Sequence, residues 1–210
     1  MKSQDILLLL KIISLHADIK GRNLDNDIIN VDDDWADWET KGLAPTYTEQ
    51  THIESNFSVR SLENYTGISK SQISLSLNRM NDVGLAKPDR RLNIPKVNTK
   101  ALLEFIAYGI KYVFPAKESQ LSRGIATSIA APVLNGKLMS SGDLPPIWSH
   151  SKGNTKGLAI EPLHPNVFHA IQQDGRLYAL LALTDAVRIG RPRERNLALD
   201  MMEKIFEGVK

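Results

Sequence analysis

The chain has 210 residues, with 26 Lys plus Arg against 24 Asp plus Glu, 42% apolar residues and no cysteine. That length and apolar content suit one or two compact domains with a real core. The lack of cysteine excludes a disulfide framework and thiolate chemistry, and fits a reducing cytoplasm. No apolar run approaches transmembrane length. The patch from Ile6 to Leu15 follows Asp5 and is broken by Lys11, which is not the pattern of a signal peptide, so a cytoplasmic protein is expected. The formal net charge is only +2, but it is unevenly spread. Acids dominate from Asp18 to Glu54 and bases from Ser58 to Arg123, as a nucleic-acid-binding face would require.

Ser3 reads as the cap of a first helix, with Gln4 and Asp5 in its first turn. Ile6–Leu10 and then Ile12, Ile13 and Leu15 are apolar nearly all round, so this helix should be buried on more than one side. Gly21 ends it. An irregular acidic insertion over about 21–56 follows, with Asp32, Asp33 and Asp34 beside Trp35 and Trp38. The Asp-x-Asp-x-Asp-Gly order of a calcium loop is absent, so no metal site is expected there. The arm reads instead as an autoinhibitory or partner-binding segment, because insertions of this length in compact domains tend to be functional or disordered.

From Ser58 to Lys96 the pattern is helix, tight turn, helix and basic hairpin. Ser58 is placed as an N-cap, and Val59, Leu62 and Tyr65 give the first of these helices an apolar face. Gly67 suits a left-handed helix end. Ile68 plugs the angle, and Ser69 with Gln72 has capping-box spacing. Ile73, Leu77 and Met80 form a core stripe, while Lys70, Ser71, Ser74, Leu75, Asn78 and Arg79 occupy the opposite face. Gly84 ends the helix. Leu85-Ala86-Lys87 and Leu92–Val97 can pair as strands about a Pro88-Asp89 turn, with Arg90 and Arg91 at the tip and Pro95 marking an edge strand.

The stretch TGISKSQISLSLNRMNDVGLAK resembles the second and third helices of bacterial winged helix-turn-helix regulators of the MarR-like kind. A Gly-Ile-Ser turn, a serine-rich helix and an Asn-x-x-Gly-Leu segment occur in that order. With its hairpin the match covers about a fifth of the 210 residues. The resemblance implies a recognition helix in the major groove of double-stranded DNA, reading bases through Ser71, Gln72, Ser74, Leu75 and Asn78. Lys70, Arg79, Arg90, Arg91 and Lys96 would neutralise phosphates. It also implies that the first helix lies beneath the reading pair and extends into a homodimer contact.

Beyond the hairpin, Asn98 or Thr99 caps a helix through Leu102, Phe105, Ile106 and Ile110 to about Phe114, where Pro115 stops it. Residues 116–157 are rich in Gly, Pro and Ser and are expected to wrap over the core, with a short helix or turn near Ser128–Leu134 and Arg123 bonded to loop carbonyls. A helix over Leu177–Leu183 is apolar on most sides, and a final helix starts at Pro192 with Leu197, Met201 and Ile205 on one face. The intervening RIGRPRER segment reads either as an anion site or, preferably, as a corner held by Arg–carboxylate pairs.

No phosphate loop, dinucleotide fingerprint, zinc-helix motif or nucleophile elbow occurs. Ser149-His150-Ser151-Lys152 matches Ser-x-x-Lys without its partner motifs, and His164 and His169 lack metal-ligand spacing. An enzyme is not expected, nor any cofactor. The expected architecture is mainly α: a winged helix-turn-helix domain over 1–115, and a helical C-terminal region over 116–210 for dimerisation, effector or partner binding. The expected function is sequence-specific transcriptional regulation, most simply repression by a homodimer. The alternative is an antitoxin-like or complex-forming protein that binds a protein partner through the acidic arm or C-terminal region.

Overall fold

The first helix, α1 (Ser3–Ile19), is the axis of the molecule. Every residue from Asp5 to Leu15 is buried, as is Ala17. A helix apolar on all sides satisfies its surface only by being surrounded. The structure, a computed structural model, describes residues 1–19, 50–137 and 144–209. The expected helix end at Gly21 and the acidic cluster with Trp35 and Trp38 lie outside the described residues.

Around α1 pack α3 (Val59–Thr66), which follows the short α2 (Gln50–Asn56), and α4 (Lys70–Asp82). A two-stranded antiparallel ribbon comes next, β1 (Ala86–Pro88) with β2 (Pro95–Val97), its register pairing Ala86 with Val97 and Lys87 with Lys96. Ala86 and Val97 point into the core, so the lysines share the outer face. Asn98 caps α5 (Thr99–Tyr108) by accepting the Ala101 N–H at 3.2 Å. The expected single helix to Phe114 is interrupted at Gly109, with α6 (Ile110–Val113) following, because glycine weakens a helix interior.

The region 116–210 is not helical throughout, and between Glu118 and Ile160 it holds a small sheet. β3 (Glu118–Ala126) pairs antiparallel with both β4 (Pro146–Ser149) and β5 (Thr155–Ile160), and β4 and β5 pair parallel, so each strand bonds to the other two. Such a small closed sheet needs backbones in contact. A Cβ on Gly153 would lie 2.0 Å from the Gly124 carbonyl carbon and oxygen, so glycine is the residue that fits. The expected turn near Ser128 is present as two short 3₁₀ segments, Ser128–Ala130 and Pro132–Leu134.

The chain ends with α7 (Val167–Ile171), α8 (Gly175–Ile189) and α9 (Pro192–Val209). α8 is buried continuously from Leu177 to Arg188, packed against α1, α9 and the 3₁₀ segments. One apolar cluster runs from Ile6 through Leu62, Ile73 and Leu102 to Ile205 and Val209, so both halves share a core. The architecture is mainly helical with small sheets. Among the described residues no helix is long and apolar enough to cross a membrane.

Candidate nucleic-acid interface

The geometry of α4 is set at its turn. Gly67 adopts a left-handed conformation (φ 66°), and its N–H donates to the Glu63 carbonyl at 2.8 Å. The Thr66 hydroxyl donates to Leu62 O at 2.6 Å and accepts from the Ile68 N–H at 3.3 Å, while the buried Ile68 side chain fills the angle. Ser58 caps α3 by accepting the Ser61 N–H at 3.1 Å. The expected capping box at Ser69 is not formed. Its hydroxyl bonds Ser71 Oγ at 3.3 Å instead, because Gln72 is engaged elsewhere.

The inner face of α4 buries Ile73, Ser76 and Met80 and is fastened to α1 through Asp5. The Asp5 carboxylate accepts Ser76 Oγ at 2.6 Å, Arg79 Nη2 at 2.6 Å and Nε at 3.2 Å, and the Lys2 N–H at 2.7 Å. Burial pushes the Asp5 carboxyl up, but Arg79, Ser76 and the Lys2 amide together outweigh it and hold it below its ordinary value. Two residues expected at the DNA face therefore lie elsewhere. Arg79 forms a forked pair with Asp5, since a buried carboxylate demands a fixed counter-charge more strongly than solvent does. Gln72 accepts the Gln4 amide at 3.1 Å, and Gln4 also donates to Ser76 at 3.0 Å, which places Gln72 on the α1 side.

The outer face of α4 carries Lys70, Ser71, Ser74, Leu75 and Asn78, all exposed, with Leu75 at 51%. Ser74 donates to the Lys70 carbonyl at 3.1 Å and keeps its acceptor lone pairs outward. Glu63 stands at the helix start, where it accepts the Lys70 N–H at 3.3 Å and lies 3.6 Å from Lys70 Nζ. Hydroxyls, an amide and an apolar tip on one helix face are the groups that meet base edges and thymine methyls in a major groove.

The ribbon tip is ordered by Asp89, whose carboxylate accepts the N–H groups of Arg91 at 2.8 Å and Leu92 at 3.1 Å. That Asx turn leaves Arg90 and Arg91 exposed at the end of the ribbon, as expected, but Pro88 belongs to β1, paired with Pro95, and the turn begins at Asp89. Lys96 is exposed beside its cross-strand neighbour Lys87, which the sequence reading passed over. The alternation from buried Ala86 and Val97 was the signal that pairs them.

The known proteins offer no guide. No protein family, curated protein or solved structure matches this chain. Among the described residues no group of three or more His, Asp or Glu side chains could hold a metal ion. The RIGRPRER segment is a corner whose first and last arginines are bonded into the fold, while Arg191 and Arg193 are exposed. Arg188 pairs with Asp185 at 2.6 Å and donates to the carbonyls of Phe114 and Glu161, and Arg195 donates to the Ala107 carbonyl. Arg123 likewise donates to the Gly153 carbonyl. A polar cleft of about 590 Å³ beside α1 and α8 holds charges that are already matched: Lys11 with Asp174 at 2.7 Å and Arg176 with Asp18 at 2.5 Å.

Proposed function

We propose that this protein is a sequence-specific, double-stranded-DNA-binding transcriptional regulator of the winged helix-turn-helix, MarR-like kind, most simply a repressor acting as a homodimer. The observation that carries the reading is the division of α4. Its inner face is fastened by Asp5, Ser76 and Arg79, whereas Ser71, Ser74, Leu75 and Asn78 face outward beside a ribbon tipped by Arg90 and Arg91. In this reading α4 enters the major groove and the ribbon is the wing, with Lys70 and Lys96 adding to the phosphate contacts. No catalytic step or cofactor enters the reading, and the compartment it fits is the cytoplasm.

Of the apolar helices that suggest a homodimer contact, Ile6–Leu15, Leu102–Val113 and Leu177–Leu183, this reading keeps the second. The apolar surplus of α1 and α8 is consumed within the chain, and among the exposed apolar side chains of the described residues are Tyr108, Tyr112, Val113 and Leu121, at 75, 82, 48 and 49%. That group also favours a second reading, a complex-forming module whose partner is a protein. Selection of duplexes from a random pool, followed by anisotropy titrations across salt concentrations, separates the two. A regulator enriches one sequence, and its Arg90→Ala/Arg91→Ala variant weakens every duplex and lowers the salt slope by about two phosphate contacts. A protein-interaction module enriches nothing and shows no salt-dependent duplex binding.

A further inference from the structure

A second cleft, of about 340 Å³, lies between α1, the β1–β2 ribbon, the start of α5 and the end of α9. Lys87, Lys96 and Lys100 line it, each from a different element, over an apolar floor that includes Ile13, Val97 and Val209. Three features there are each unfavourable without a ligand. Lys87 and Lys96 are directly opposed in the ribbon, and like charges in that register repel. Lys100 is the second residue of α5, whose first turn contains no acid, so its charge stands at the positive end of the helix dipole. The Asn98 side chain and carbonyl take the N–H groups of Ala101 and Leu102, leaving those of Thr99 and Lys100 for an outside acceptor.

Among the described residues no carboxylate lies within ion-pair distance of these lysines. Asp89 acts on Lys96 electrostatically, but its carboxylate is held by the Arg91 and Leu92 amides at the ribbon tip. A single dianion between the three ammonium groups would relieve all three conflicts at once. The cleft presents more apolar than polar surface around the buried Ile13 and the nearly buried Val97 and Val209, and a bare phosphate would leave that surface uncovered. The volume is at the lower end of small-molecule sites and accommodates a phosphate together with a ring-sized group.

We propose that this cleft binds a small phosphorylated molecule, with its phosphate held by Lys87, Lys96 and Lys100 at the start of α5 and its organic part over Ile13, Val97 and Val209. A duplex backbone shares the phosphate chemistry but brings no group to fill a concave apolar floor. Lys96, which the proposed function gives to the phosphate backbone, also borders this cleft, so the test variants below leave it in place. The site stands independently of DNA recognition by α4.

The probes are inorganic phosphate and adenosine 5′-monophosphate, titrated calorimetrically into the full chain at constant ionic strength near physiological salt. The nucleotide is expected to bind saturably and at least about threefold more tightly than inorganic phosphate. Lys87→Gln/Lys100→Gln, both at exposed positions, should weaken it by about tenfold or more, and Arg90→Gln/Arg91→Gln by less than about twofold. Unchanged melting curves confirm that the variants fold. No saturable binding of either probe by the wild type up to about 10 mM, or equal binding by the lysine variant, would overturn the proposal. So would a lysine variant that loses as much duplex affinity as the arginine variant while the wild type ignores the nucleotide, since the lysines would then belong to the duplex surface. Nucleotide binding without any duplex binding refutes DNA recognition and leaves this site standing.

Discussion

α4 and α8 treat their polar side chains in opposite ways. In α8 every polar group from Leu177 to Arg188 is consumed internally. Thr184 donates to the Leu180 carbonyl at 2.8 Å, and Asp185 accepts the Trp148 indole at 2.6 Å, the Thr127 hydroxyl at 3.0 Å and Arg188 at 2.6 Å. In α4 that kind of commitment stops halfway round the helix, with Ser76 and Arg79 fastened and Ser71, Ser74 and Asn78 facing solvent. An exposed polar helix face whose bonds stay within its own helix and cap, as those of Ser71 and Ser74 do, is the one available to a partner. Polar groups that the fold has absorbed are structural whatever their charge.

The comparison breaks most sharply at Asp185. Burial pushes its carboxyl up, while Arg188, the indole and the hydroxyl pull against that. Asp185→Ala would leave a guanidinium and two other donors buried without their acceptor, so it should cost about 3–5 kcal/mol in urea unfolding. Duplex affinity per folded molecule should be unchanged. A loss of duplex affinity beyond the folded fraction would tie α8 to the interface and erase the contrast.

Asp5 comes next, because it decides which face of α4 is closed. Asp5→Ala should cost about 2–3 kcal/mol, less than a fully buried pair, since the Arg79 side chain is 30% exposed and can rehydrate. The Asp5 carboxyl is held below its ordinary value, so its contribution is fully present above about pH 4 and disappears as pH falls through the lower folded value. Wild type and variant should therefore converge in stability under acid and separate at neutral pH. A constant difference at all pH values would show that the pair is not ionic. Freed from Asp5, Arg79 becomes a candidate phosphate contact, and non-specific duplex binding should tighten at low salt.

Much of this was readable from residues alone, and the misses share a cause. Gly67, Ser58, Asn98 and the ribbon turn at Asp89 are local devices whose partners lie within four residues, and they appear as expected. The continuously apolar α1 and α8 announced burial on all sides, but not that they would bury each other. The bonds of Arg79 and Gln72 to α1 went unforeseen because their partners, Asp5 and Gln4, lie about seventy residues away, and periodicity cannot report such pairings. The β3–β5 sheet escaped for a related reason. Its pairings join strands distant in sequence, and its glycines at 124, 153 and 157 serve close backbone contacts that look like loop punctuation in sequence.

The two faces of α4 can be separated by one pair of variants. Asn78→Ala should lower affinity for the selected duplex by about 1–2 kcal/mol and relax its preference, with little change in stability. Gln72→Ala should do the reverse, losing the bond to Gln4 with about 1 kcal/mol of stability while leaving sequence preference intact. Equal effects on specificity from both would mean that α4 turns when it meets DNA.

The smallest effect sharpens the comparison where it is closest to failing. Glu63 brings a carboxylate to the start of α4, bonded to the Lys70 N–H and near its ammonium. At a helix start that charge is favourable to folding, yet it stands where an approaching phosphate would be repelled. The Lys70 side chain is 58% exposed and that of Glu63 34%, so the pair is screened and contributes little to stability. Glu63→Gln keeps an acceptor for the Lys70 amide and removes the charge. Its melting temperature should stay nearly the same, while duplex binding tightens by about twofold to fivefold at low salt and by less as ionic strength rises. An exposed α4 that reads DNA must respond in this way, because Glu63 lies at its entrance. If Glu63→Gln leaves duplex affinity untouched at every salt concentration while Asn78→Ala still weakens it, the helix approaches through its middle and not its N-terminus, and Lys70 and Ser71 leave the interface.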